Sequence, residues 1–204
     1  MRIAVAARRR EQLEAIAAET GAVPLVADAR NAIAVGALFD AAALALGGAP
    51  EVVVYNASQR VRGPFVEVDA EVVARAVDVT AVAAFRVAQQ AVRRMLPERH
   101  GAVLFTGASA GVKGFAQSAA FAMGKFALRG LAESLARELG PKDIHVAHFV
   151  IDGGVMSGVR QPPPDKPDSL LDPDAIAETY LAVLKQPRSA WSSEIALRPW
   201  VETF

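Results

Sequence analysis

The sequence predicts an α/β fold, a doubly wound parallel sheet in a single domain. Three observations predict it. Short β-rich runs alternate with longer helical patterns from the first residues onward. The chain has 204 residues of which 52% are hydrophobic, enough to bury one core. No internal repeat and no interdomain linker interrupts the alternation, so residues 1–204 read as one unit.

Residues 2–7 read as a buried strand, and 10–20 as a helix with Leu13, Ile16 and Ala17 on one face, closed by Gly21. A second strand spans 23–27. After Asp28, Asn31 can cap a helix that carries Ile33, Leu38 and Leu44 and ends at Gly47 and Gly48. Residues 51–55, EVVVY, make the third strand. Asp69 caps a long helix whose inward face holds Val73, Val77, Thr80, Val87, Ala91 and Met95, stopping near Pro97. Residues 101–106 form the fourth strand. From 117 to 140 runs another long helix, with Leu128, Leu131, Leu135 and Leu139 at helical spacing, ended by Gly140 and Pro141. Residues 145–151 form the fifth strand. The stretch 157–172 contains QPPPDKPDS, which cannot hold regular structure and reads as a flexible flap. Pro173 opens a helix reaching about 185, and 193–198 supply a last short strand.

Charge and composition narrow the function classes. Lys and Arg number 22 against 22 Asp and Glu, so no basic stripe serves nucleic acid and no polybasic patch serves anionic lipid. A small-molecule substrate or another protein remains as the partner. The absence of cysteine excludes disulfide scaffolds, thiolate zinc sites, iron–sulfur clusters and thiol nucleophiles, and it points to the cytoplasm. No apolar run reaches the roughly 18 residues that span a bilayer. His145 and His148, three apart on a strand, face opposite ways, so with His100 they build no metal site.

Four places carry a chemical signal: AARR at 6–9, YNAS at 55–58, FAMGK at 121–125 and IDGGVMS at 151–157. In this order and on these elements they resemble the short-chain dehydrogenase/reductase family, over essentially the whole chain from that family's second strand to its last. The resemblance implies a Rossmann-like sheet and a dinucleotide cofactor. It suggests NADP(H) over NAD, because Ala7 followed by Arg8 and Arg9 suits a ribose 2′-phosphate where NAD users place an acid. A solvated helix entry would carry the same two arginines. Asp28 and Ala29 fall where the family contacts adenine. Asn56 and Ala57 match its Asn-Ala after the strand beside the crevice, although an asparagine there also makes a good turn former. Gly153 and Ser157 resemble the Gly and Thr of the loop that meets the nicotinamide carboxamide, with Asp152 where proline is usual; a glycine-rich turn gives the same letters.

The family's chemistry rests on an Asn-Ser-Tyr-Lys set, of which the resemblance retains only the lysine. Lys125 lies four residues after Phe121, so both face one side of the helix, and Phe121 stands at the tyrosine position. Thr80 takes the asparagine position. Ala108 falls at the serine position, with Ser109 one step on. The chain's two tyrosines, Tyr55 and Tyr180, are not followed by lysine at the required spacing. A benzene ring has no proton to give, which costs on the order of 10²- to 10⁴-fold unless water, Ser109 or a substrate group substitutes. Lys125 then keeps the family's other role, a hydrogen bond to the nicotinamide ribose, unless it is a surface lysine laid along an Ala-rich helix.

The family also opens with a strand, TGxxxGxG and a helix whose N-terminus receives the pyrophosphate, and this first βα unit is absent from the sequence. TGASAGVKG at 106–114 has a different glycine spacing and lies where the substrate-side loop belongs. In the order 3-2-1-4-5-6-7 the missing strand is central. Its absence would leave two buried edges with unpaired backbone groups. Either those strands find another partner or the natural protein is longer; the expectation is that Met1 is an internal or mis-set start and that the parent protein carries roughly 25 to 35 further residues, the size of one βα unit. The 204 residues alone should bind dinucleotide weakly or not at all. A catalytically silent family member that binds ligand or forms oligomers is the competing reading. The resemblance further implies a homo-oligomer paired through helices 69–96 and 117–140. The PPPDKP run is open to a second use as a polyproline II partner segment.

Overall fold

The computed structural model describes residues 2–202; Met1, on which the expectation of an internal start falls, and residues 203–204 lie outside the described residues. The strands are β1 (Ala4–Ala7), β2 (Val23–Val26), β3 (Val52–Tyr55), β4 (Gly101–Thr106), β5 (Ile144–Ile151) and β6 (Glu194–Leu197). The helices are α1 (Arg10–Thr20), α2 (Ala32–Leu46), α3 (Ala70–Val77), α4 (Ala83–Met95), α5 (Ala119–Leu139) and α6 (Pro173–Leu184). Every ladder between these strands is parallel, as the alternation requires.

The helix ends follow local chemistry. Asn31 accepts from the N–H groups of Ile33 and Ala34, and Asp69 from those of Glu71 and Val72. Asp172 accepts from Asp174 N–H with Pro173 in the first turn. Gly21 and Gly47 close α1 and α2 in the left-handed conformation, at φ 71° and 80°.

The face of α2 departs from expectation. Ile33 and Leu44 are 85% and 87% exposed, whereas Val35, Phe39 and Ala42 are buried. The helix is apolar almost all round, and the exposed stripe is the one that contains Asp40.

One face of the sheet is covered by α2, α4 and α5, whose Phe39, Val87 and Leu128 pack with Val103, Phe105 and Val146. On the other face α6 brings Val183 and Tyr180 against Leu104, Ala147 and Phe149. The strands do not form one ladder. β1 pairs with β2, and β3-β4-β5-β6 form a separate sheet; among the described residues no strand lies between β1 and β3. The burial expected at those two edges is only partial, with Tyr55 buried and β1 half-buried. Val54 on β3 is 50% exposed and Ile3, just before β1, is 49% exposed, so water can reach the unpaired backbone groups.

The helix expected over 69–96 is interrupted. Between α3 and α4 the backbone widens into one π turn, Asp78–Val82, with Ala83 N–H donating to the Asp78 carbonyl. Thr80, in that turn, meets α5 at Gly124, where an added Cβ would stand 2.9 Å from Thr80 Cβ. The helix expected from 117 begins at Ala119, because Gln117 adopts a left-handed φ of 59°. Residues 161–170 remain irregular, and the stretch is fastened at its base by single bridges from Val155 to Leu171 and from Ser157 to Arg160.

Candidate functional site

Parallel ladders gather the C-terminal strand ends at one edge, so the loops after β3, β4 and β5 converge there beside the N-terminal half of α5. Lys125 is the centre of this edge. It is only 3% exposed, and its Nζ donates to the Thr106 carbonyl at 2.7 Å. Burial pushes its pKa down from 10.5 to about 8. The surface-lysine alternative is therefore wrong: α5 turns this side chain inward onto the end of β4. Nζ lies 5.8 Å from the centroid of the half-buried Phe121 ring, one helical turn earlier.

Thr80 is buried, and its Oγ1 accepts from the Gln59 backbone N–H at 3.3 Å, tying the loop after β3 to the π turn. A second tie joins that loop to the entry of α5, where Gly63 N–H donates to the Gln117 carbonyl at 3.1 Å. Between the two ties Arg60 sets its guanidinium carbon 5.7 Å from the Phe121 centroid. Arg60 belongs to none of the four signal-bearing motifs of the sequence. Nothing local in the letters connects it to Phe121.

Neither tyrosine replaces the missing phenol at Phe121. Tyr55 is buried and its hydroxyl donates to the Val79 carbonyl, while burial raises its pKa. Tyr180 stacks on Phe149 at 3.6 Å and shares a 2.8 Å hydrogen bond with Thr106 Oγ1; burial raises its pKa as well. Thr106 thus links α6 through its hydroxyl and Lys125 through its carbonyl. Ser109 begins a single 3-10 turn, Ser109–Gly111, and its carbonyl accepts from Val112 and Lys113.

The glycines of 106–114 serve packing. A Cβ on Gly107 would fall 2.2 Å from His148 Nε2, and one on Gly111 would fall 3.0 Å from the Lys125 carbonyl oxygen. Those faces are filled by protein, so this loop is no phosphate cradle. His148 reaches Glu194 through Nδ1 at 3.0 Å, and Arg129 grips the same carboxylate at 2.7 and 2.8 Å. His145 stacks on Trp191 and bonds the Ser192 carbonyl at 2.9 Å.

The remaining predicted positions follow the ends of β1, β2, β3 and β5. Arg8 and Arg9 are exposed directly after β1, Arg9 at the N-cap of α1. Asp28, after β2, is clasped by Arg30 at 3.1 and 2.7 Å, which holds its carboxyl at about 2. Ala29 packs on the core. Asn56 and Ala57 are exposed at the end of β3. Gly153 is required by packing, since a Cβ there would come 2.7 Å from Pro199 Cδ. Asp152, where the family has proline, is buried and pairs with Arg198 at 3.2 Å, joining the ends of β5 and β6. Ser157 is exposed at the start of the flap.

Strands, converging loops and buried lysine together define a Rossmann-like α/β scaffold. The model of the short chain dehydrogenase family matches residues 1–165, and the chain belongs to that family. Human 17-beta-hydroxysteroid dehydrogenase type 1 is 27% identical over 168 residues, 69% of this chain and 51% of that protein. The 3-oxoacyl-[acyl-carrier-protein] reductase MabA of Mycobacterium avium is 33% identical over 106 residues, covering 52% of this chain and 41% of the enzyme. The chain spans about half the length of the curated relatives it matches. A short-chain dehydrogenase structure from Rhodopseudomonas palustris superposes with a TM-score of 0.82 at 34% identity, covering 98% of this chain and 87% of that one. An alcohol dehydrogenase from Thermococcus sibiricus complexed with 5-hydroxy-NADP shares the fold, with a TM-score of 0.85 at 22% identity over 99% of this chain and 87% of its own.

Proposed function

We propose that residues 1–204 act as one unit of an NADP(H)-dependent oxidoreductase that interconverts a small carbonyl compound and its alcohol without the family's tyrosine. The observation that carries this reading is Lys125, buried at the convergence of the loops and one turn from Phe121. Family members described with NADP or NADPH, including the archaeal alcohol dehydrogenase and the actinorhodin polyketide ketoreductase, support the cofactor.

The chain's residues fit part of that cofactor. Arg8 and Arg9 are exposed where a 2′-phosphate would lie, and Asp28, the nearby acid, is already neutralised by Arg30. Asn56, Ala57, Gly153 and Ser157 line the path toward the nicotinamide, where Lys125 would hold the ribose. The pyrophosphate finds no Gly-rich turn leading into a helix among the described residues, so the isolated chain binds the dinucleotide weakly. When bound, the reduced nicotinamide supplies hydride. Phe121 gives no proton, so water, Ser109 or a substrate group must, and turnover is slow by on the order of 10²- to 10⁴-fold. Thr80 acts as the support of the Gln59 loop.

The silent-binder reading draws on one fact: the Lys125 ammonium is already bonded to Thr106. NADPH oxidation with a panel of carbonyl compounds, set beside calorimetric NADPH binding, separates the two. Turnover lost in Lys125→Ala supports the enzyme, while binding without turnover supports the silent binder. We further propose a homo-oligomer through helices 69–96 and 117–140, since Val82 and Phe85 on the first and Met123 and Phe126 on the second lie exposed.

A further inference from the structure

We propose that Arg60 selects the substrate of this crevice: a carbonyl compound, or its alcohol, that bears a carboxylate, with the carboxylate held by the Arg60 guanidinium beside Phe121. The inference rests on the reading of the crevice as a substrate site and adds the chemical class of its occupant.

Three observations carry it. The loop after β3 is pinned on both sides of Arg60, at Gln59 to Thr80 and at Gly63 to Gln117, so the backbone at Arg60 is fixed over the α5 entry. The Phe121 face then orients the guanidinium through a cation–π contact, 5.7 Å from the ring centroid, that uses none of its N–H donors. Those donors have no carboxylate partner among the described residues and Arg60 is exposed, so, as at Arg62 beside it, they are open to a ligand.

The surrounding charge points the same way. The segment 56–63, NASQRVRG, and the loop 107–118, GASAGVKGFAQS, carry Arg60, Arg62 and Lys113; the acids of the loop after β3, Glu67 and Asp69, come only at its far end before α3. Lys125 adds a fourth cation 5.8 Å from the same ring. A planar carboxylate matches the guanidinium fork with two parallel charge-assisted bonds. An uncharged ketone of the same shape would desolvate the cations and return nothing to them.

The test compares 2-oxobutanoate with 2-butanone, which differ by the carboxylate, in ligand-observed NMR titrations of the full chain with and without NADPH. The carboxylate should bind about 10- to 100-fold more tightly, and salt should erode the preference. Arg60→Gln should bring the two probes within about twofold of each other, Arg60→Lys should keep part of the preference, and Arg62→Gln should keep most of it. Equal binding of both probes by the parent chain, or an unchanged preference in Arg60→Gln, overturns the proposal. Failure of the oxidoreductase reading looks different: the Arg60-dependent preference persists while no carbonyl probe oxidises NADPH.

Discussion

Replacing Lys125 with methionine tests whether this lysine is held against its solvation. Burial lowers its pKa from 10.5 to about 8, so the folded chain gives up the proton near pH 8 while the unfolded chain keeps it to about 10.5. Between those values the unfolded state binds more protons, and stability therefore rises with pH. That difference corresponds to about 3 kcal/mol at about 1.4 kcal/mol per pH unit. Below pH 8 the parent chain bears the full cost, so Lys125→Met should gain relative stability there and lose that gain by pH 10.5. Urea unfolding of both chains, followed by circular dichroism from pH 7 to 10.5, gives the difference directly, and tyrosine titrations common to both cancel. A difference that stays constant over that range, or grows with pH, refutes the account of Lys125 as a desolvated cation.

Three other outcomes are expected. Phe121→Tyr returns a phenol one turn from Lys125 and should raise NADPH-dependent carbonyl reduction by on the order of 10²- to 10⁴-fold, a gain that Lys125→Met then abolishes; steady-state rates decide. Phe85→Glu, at a side chain 49% exposed on α4, should shift the sedimentation profile toward monomer with little change in unfolding midpoint. Gly107→Ala would put its Cβ 2.8 Å from the Phe149 carbonyl oxygen and against the His148 ring, costing about 1–3 kcal/mol in thermal or urea unfolding.

What could be read from the letters was whatever neighbouring residues decide among themselves. Asn31, Asp69 and Asp172 cap helices because their side chains reach N–H groups two or three positions on, and Gly21 closes α1 for an equally local reason. The spacing of Phe121 and Lys125 likewise put both on one side of α5. The face of α2 was not readable, because an apolar helix offers periodicity nothing to sort by, and Asp40 alone marked its outer stripe. The π turn at Asp78–Val82 was hidden because it answers to Gly124, far along the chain. Arg60 acquired meaning only once Thr80 and Gln117 fixed its loop, and Asp152 only once Arg198 was beside it. Each is a contact between distant segments, invisible to any window of neighbouring letters.

Because the two ladders share no rungs among the described residues, β1 and β2 are held to the rest through interlocked side chains such as Val35 and Phe39 of α2. In residues 2–202 on their own such a joint can open without breaking the larger ladder, so there the amides of β1 and β2 should exchange with solvent sooner than those of β4 and β5. A molecule stretching from Arg8 to Lys125 would straddle that joint like a clasp. Part of its affinity would go into stilling the N-terminal pair, and the slowing of exchange there would register its arrival before any chemistry took place.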